Sequence, residues 1–240
     1  MINVDKVYVL HYTKLKERRE SIEKSLNYFG IDYELVTAFD QEDLSKEVID
    51  EWYSADEETY NSKIDPLWGA AQNPFRKLNL AEISCTIKHY LCIKKVAENC
   101  SNYGLILEDD VFFVKDFPER FDYFLSQTPD DWGAIFMGCC ANLRVPQHLL
   151  REGIHSYPVN HPASRGGDSY ILRKEVAQKI TSTMKPFNTI SDWELACQLY
   201  QHDIKTYWWE PPLVVQGSEN GTYTTTLNDD NHRQTHGGVF

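Results

Sequence analysis

At 240 residues, 42% hydrophobic and 25% charged, the chain can bury a substantial core, and its composition is that of an ordinary globular protein. A net charge of −12 argues against a broad nucleic-acid footprint or an anionic membrane surface as partner, and no apolar run approaches the ~20 residues of a membrane span. The one basic cluster, Lys14, Lys16, Arg18 and Arg19, suits a single phosphate group rather than a duplex.

In chain order, residues 7–10 read as a buried strand closed by His11, Tyr12 and Thr13. Residues 14–29 follow as a helix with apolar positions at Leu15, Ile22, Leu26 and Phe29, stopped by Gly30. A second strand over 31–36 completes a βαβ opening typical of a nucleotide-binding half-sheet. It lacks a G-x-G-x-x-G, which argues against a dinucleotide cofactor. An acidic helix over 41–53 leads into a loop to residue 78 that holds Pro66, Gly69 and Pro74, a segment suited to a mobile acceptor-side lid. A long helix over 79–99 has an apolar stripe of Leu80, Ile83, Ile87, Tyr90, Leu91 and Ala97. Glu82 and His89 are two turns apart on nearly one face, either as a solvated acid and a satisfied histidine or as part of a site.

A strand over 104–107 then runs into Glu108, Asp109 and Asp110 before the apolar run resumes at Val111. Three crowded carboxylates repel one another, and desolvating them is costly without a cation or hydrogen-bond donors. A solvated turn would hold them cheaply; the sharper reading is a hard-metal site at a strand's carboxyl end, where open α/β sheets place their ligands. Side-chain alternation points Glu108 and Asp110 one way and Asp109 the other, a D-x-D-like pair with an extra acid. A helix over 118–125, a strand over 133–138 and an irregular stretch to residue 167 follow. Next come a strand over 168–172, a helix over 174–184, and a second helix that opens on Ser191-Asp192-Trp193-Glu194 with Ser191 as its cap. Strands over 204–208 and 213–215 precede a polar tail.

No repeat or linker interrupts the chain, so residues 1–240 are expected as one domain, with a nucleotide-sugar half over roughly 1–115 and an acceptor half over roughly 116–240. The six cysteines, at 85, 92, 100, 139, 140 and 197, contain no CxxC pair and are expected as reduced thiols. Met1 to Lys6 lacks a signal-peptide core, and both features lead to the expectation of a cytoplasmic protein. A βαβ start, mid-chain acids at a strand end and a later Asp at a helix start together suit a nucleotide-sugar transferase. A divalent cation on the acids would there neutralise a diphosphate leaving group.

Six blocks in order, "VYVLHYTKLKERRESI", "YELVTAFD", "KLNLAEISCTIKHY", "YGLILEDDVFF", "GGDSYILRKEVAQKI" and "ISDWEL", resemble glycosyltransferase family 25, the lipopolysaccharide-type and procollagen-type galactosyltransferases. The resemblance covers nearly the whole chain. It implies a GT-A-like, Rossmann-type mixed sheet flanked by helices, and a UDP-sugar donor. The reaction it implies is Mn²⁺- or Mg²⁺-assisted, inverting transfer of a hexose, galactose favoured, to a glycan or glycosylated acceptor. UDP-glucose or UDP-xylose on the same fold, or a non-catalytic carbohydrate-binding protein, are the alternatives. Ser84, Lys88 and His11 stand where the family more often has Gly, Ser and Asn, all on the expected donor side.

The same resemblance suggests roles. Asp110 would be the principal metal ligand, with Glu108 and Asp109 on the ribose, the sugar or metal-bound water. Leu10, His11 and Tyr12 would border the uracil and ribose, and Arg18 or Arg19 would lie near the phosphates, unless they are ordinary helix-surface residues. Glu82 and His89 would line the donor side. Asp192 would be the general base, with Glu194 as fallback and a plain helix cap as the alternative use of Asp192. Gly166, Gly167 and Asp168 would admit the acceptor. One of Trp193, Trp208 and Trp209 would stack on a sugar, although core packing is the commoner use. Gln216, Gly217 and Ser218 would close over the diphosphate, with His232 or His236 as a third metal ligand.

Overall fold

The structure, a computed structural model, describes residues 2–218 and 220–224. Its main feature is a mixed seven-stranded sheet. The strands are β1 (Lys6–Leu10), β2 (Glu34–Val36), β3 (Tyr103–Glu108), β5 (Ala134–Phe136), β6 (Ser156–Val159), β7 (Ser169–Arg173) and β8 (Thr206–Trp209), in the order β2-β1-β3-β7-β5-β8-β6. A separate two-stranded ribbon pairs β4 (Val111–Phe113) with β9 (Val214–Gln216).

Alternation along β1 shows how the sheet is covered on both faces. Tyr8 and Leu10 point to a core shared with α4 (Leu80–Asn99), α6 (Lys174–Thr183) and α7 (Ser191–Gln201). Val7 and Val9 point to the opposite core, with α1 (Lys16–Tyr28) and α5 (Phe117–Gln127). α4 begins where the sequence predicts, because Asn79 accepts from the Glu82 amide and Glu82 returns a bond to the Asn79 amide, a complete capping box. α1 stops at Gly30, whose φ of +65° is the left-handed conformation that glycine adopts without steric penalty.

Several expectations change. The segment 55–78 is only partly a loop: residues Glu57–Trp68 form α3, capped by Asp56, with Pro66 inside it, and 69–78 have no regular structure. Its face is held by tertiary contacts, Tyr60 and Ile64 packing on Cys197 of α7 and Lys63 pairing with buried Glu194 at 2.9 Å. That burial outweighs the amide lost at Pro66. The acidic stretch 41–53 splits into a 3₁₀ turn (Gln41–Asp43) and α2 (Lys46–Trp52), the latter capped by Ser45. The irregular stretch before residue 167 contains β6, the outermost strand, where Pro158 is tolerated because an edge strand can leave an amide unpaired.

One ion cluster anchors this last region. Arg165, fully buried, donates to Glu210 Oε2 at 2.7 Å and to the carbonyl oxygens of Leu143 and Trp209 at 2.6 and 2.7 Å. The more exposed Arg144 also pairs with Glu210. Burial pushes the Glu210 carboxyl up, but its two arginines outweigh that and hold it below the usual range. Arg165→Met should lower the unfolding free energy in urea by roughly 3–5 kcal/mol, because it strands buried acceptors. Arg144→Met, at the wetter end, should lower it by less; equal losses, or none for Arg165→Met, would contradict this account.

Candidate active site

Strand register brings the site together. β1 and β3 run parallel with Leu10 opposite Glu108, so His11 and Tyr12 leave the sheet beside the acids. β7 runs antiparallel to β3, and the Glu108 amide donates to the Asp168 carbonyl at 2.9 Å, so Gly167 and Asp168 enter at the same end. The ribbon sets Gln216 opposite Val111, one residue past Asp110. A cleft opens there, lined among others by Leu10, His11, Tyr12, Arg18, Glu108, Asp109 and Asp110.

Each acid has its own partners. Glu108 accepts from Gln216 at 2.8 Å and lies 3.2 Å from His89 Nε2. Asp109 meets His11 Nδ1 at 2.6 Å and Arg18 at 3.3 Å. Asp110 Oδ2 accepts from the Ser218 amide at 3.3 Å and lies 3.4 Å from Arg18. The predicted alternation therefore stops at Glu108, where the strand ends: Asp109 and Asp110 occupy a turn and share one guanidinium. Asp110 Oδ1 and His11 Nε2 are buried with no hydrogen-bond partner among the described residues. Burial, with Glu108 close by, pushes the Asp110 carboxyl up to about 6.

Arg18 reaches the acids because α1 buries Arg18, Ile22 and Leu26 at four-residue spacing, and the first of these faces charge instead of core. It also donates to the Thr224 carbonyl at 2.8 Å and lies over the Tyr223 ring. Arg19, by contrast, pairs with Glu23 on the helix surface. Gln216 and Ser218 contact Glu108 and Asp110; His232 and His236 lie outside the described residues.

The three departures from the family pattern all line the cleft. Ser84 donates to the Phe39 carbonyl at 2.7 Å, and Lys88 donates to the carbonyls of Thr37 and Ala38 and to Asp40. Together they fix the loop after β2, in which Phe39 takes a φ of +63°. This bracing role of Lys88 is not legible in periodicity or composition; its place one residue before His89 is the available signal.

Other assignments are corrected. Glu82 is held at the helix start by the capping box and by Arg76, and is not among the residues lining the cleft. Ser191 is the first residue of α7, not its cap; Ile190 takes that position without a side-chain bond. Asp192 is partly exposed, and burial raises its carboxyl despite the Trp193 amide, with Glu108 raising it further and His89 opposing. Amide donors at the helix start therefore do not dominate it. Glu194 is fully buried against Lys63 and Gln198, a structural acid. Trp209 is core, Trp208 lies under Arg165, and Trp193 stacks on Trp68 at 4.6 Å. Asp168 is buried against Gly138.

The family model described as glycosyltransferase family 25 (LPS biosynthesis protein) matches residues 4–195. Procollagen galactosyltransferase 1 of Danio rerio is 23% identical over 250 residues, which cover 94% of this chain and 40% of the relative. A glycosyltransferase 25 family member of Anopheles gambiae is 27% identical over 193 residues, 75% of this chain and 30% of the relative. The chain thus spans less than half the length of these curated relatives. A solved glycosyltransferase involved in glycosylation of the major capsid of PBCV-1 aligns over 96% of this chain and 97% of its own, at 12% identity and a TM-score of 0.42.

The crowding of Asp110 has a measurable consequence. A carboxyl raised in the folded state stabilises the protein fully only below its unfolded value, and that stabilisation is lost as pH rises through the folded one, here about 6. Asp110→Asn should therefore melt above the parent at pH 7.5 in chelator, by roughly 1–3 kcal/mol, with the difference vanishing toward pH 4. An unchanged or lower melting temperature at pH 7.5 would count against a crowded acid cluster.

Proposed function

This chain belongs to glycosyltransferase family 25, and we propose that it transfers a hexose from a UDP-sugar to a glycan or glycosylated acceptor, with a divalent cation and with inversion at the anomeric carbon. The observation that carries the proposal is the convergence of Glu108, Asp109 and Asp110 with Arg18 in one cleft, where Asp110 Oδ1 is buried without a partner among the described residues. Galactose is the favoured sugar because relatives carry the name procollagen galactosyltransferase.

An orphaned, buried carboxylate oxygen within an all-oxygen acid cluster fits a hard cation, Mn²⁺ or Mg²⁺. Asp110 would hold it, with Glu108 beside it. When bound, such an ion supplies positive charge to the diphosphate leaving group. The chain's own residues do the rest. Leu10, His11 and Tyr12 border the nucleoside, and the unpartnered His11 Nε2 suits a ribose hydroxyl. Arg18 adds a guanidinium on the phosphate side. Asp192, within the field of Glu108 and His89, takes the proton of the acceptor hydroxyl as its oxygen bonds to the anomeric carbon and the bond to UDP breaks. Its raised carboxyl brings the base closer to neutral pH, where general-base catalysis is most effective.

Ligand-induced stability, UDP release and variant kinetics test this reading. UDP with Mn²⁺ should stabilise the protein by about 2.7 kcal/mol at a hundredfold excess over Kd; Asp110→Asn should abolish the part that needs the metal. A scaffold without transferase function would show no metal-dependent shift, and a screen of UDP-galactose, UDP-glucose and UDP-xylose for UDP release assigns the donor. Asp192→Asn should lower kcat by about 10²–10⁴-fold with little change in donor affinity. Glu194→Gln should lower the melting temperature while kcat per folded molecule stays near normal. The opposite pattern would move the base to Glu194, and two fully active variants would remove it from α7 altogether.

A further inference from the structure

We infer that Cys85, His89 and Glu108 form a second cation site on the wall of the cleft, for a borderline-soft divalent ion of the Zn²⁺ class, distinct from the hard-ion position at Asp110. Cys85 and His89 stand one turn apart on the same face of α4, and Glu108 ends β3 against them. One ligand atom from each, Sγ, a ring nitrogen and a carboxylate oxygen, lies within 4.8 Å of the other two. The His89 Nε2 to Glu108 Oε1 separation is already 3.2 Å. Ligands of a tetrahedral Zn²⁺ stand about 3–4 Å apart, so a short inward movement of Cys85 completes the geometry.

Further features are those of a metal site. The donor set is thiol, imidazole and carboxylate, a combination that selects Zn²⁺ over Mg²⁺ or Ca²⁺, whereas Asp110 offers oxygen alone. The remaining nitrogen of His89, Nδ1, lies 3.0 Å from the hydroxyl of the fully buried Tyr170, which fixes the ring with Nε2 toward the cluster. Gly167 passes close behind: a Cβ there would stand 3.0 Å from both Glu108 Oε1 and the His89 ring, tighter than an ordinary contact. Cys85 and Glu108 both line the cleft, which gives an ion a path in and leaves room for water as a further ligand. The Cys85 thiol makes a long contact, 3.9 Å, with Ser191 Oγ. On binding, the thiol proton leaves to solvent and the thiolate enters the coordination sphere.

The test uses the intact chain and Co²⁺ as a spectroscopic probe for Zn²⁺. Titration should give a thiolate-to-Co²⁺ charge-transfer band that one equivalent of Zn²⁺ abolishes. Cys85→Ser should lose the band, and Tyr170→Phe should weaken Co²⁺ binding by about 10–100-fold through the loosened imidazole. Asp110→Asn and the double variant Cys139→Ser/Cys140→Ser should keep the band. Asp110→Asn also separates this proposal from the proposed transfer reaction, since it removes UDP–Mn²⁺ stabilisation and leaves the thiolate band in place. Absence of the band in the parent, or its survival in Cys85→Ser, overturns the assignment. Should Cys85→Ser fail to fold, alkylation of the parent mapped by mass spectrometry decides: Zn²⁺ must slow labelling of Cys85, and unchanged labelling overturns the site.

Discussion

Three carboxylates at one strand end can stay together in a largely buried place only if positive charge and donors reach them from elsewhere in the chain. Arg18 meets the main part of that requirement. It stands 3.3 Å from Asp109 and 3.4 Å from Asp110, on a side chain that is itself only 10% exposed. The rest of the cleft is arranged around that guanidinium. His11 takes the other oxygen of Asp109, Gln216 and the Ser218 amide take one oxygen each of Glu108 and Asp110, and Thr224 accepts from Arg18 in turn. What is left over is an oxygen of Asp110 that the described residues do not satisfy.

The scaffold supplies rigidity around this incomplete centre. Lys88 and Ser84 hold the carbonyls of residues 37–39, so the loop bordering the cleft is fixed from α4, the same helix that carries Cys85 and His89. On the opposite side, Arg165 and Glu210 anchor the segment that delivers Gly166, Gly167 and Asp168 to the strand end. A cleft bounded by buried ion pairs is pre-organised: little of its geometry needs to be assembled when a ligand arrives.

Chemically the wall divides into two kinds of donor. The turn after β3 offers hard carboxylate oxygens, and α4 offers the Cys85 thiol, with the buried His89 imidazole within reach of it. Glu108 lies between them, bonded to Gln216 on one side and to His89 on the other. Under the two proposals, occupancy of either side would bear on the other through that carboxylate.

Local pattern was sufficient for the elements whose burial follows their own periodicity. Val7 to Leu10 alternate between two cores, the Asn79–Glu82 capping box marks the start of α4 within one turn, and the acids announce themselves at the end of β3. Tertiary structure alone decided the rest. α3 forms across Pro66 because Lys63 finds Glu194, 131 residues away, and β6 exists because β8 offers it an edge. Glu82 turned to capping and Arg76, and Glu194 to a buried ion pair, although both were equally acidic in the sequence as Asp110. Periodicity and capping act over about four residues, and a sequence displays them directly. Which charge neutralises which carboxylate depends on register between strands and helices far apart in the chain, and that is settled only when they pack.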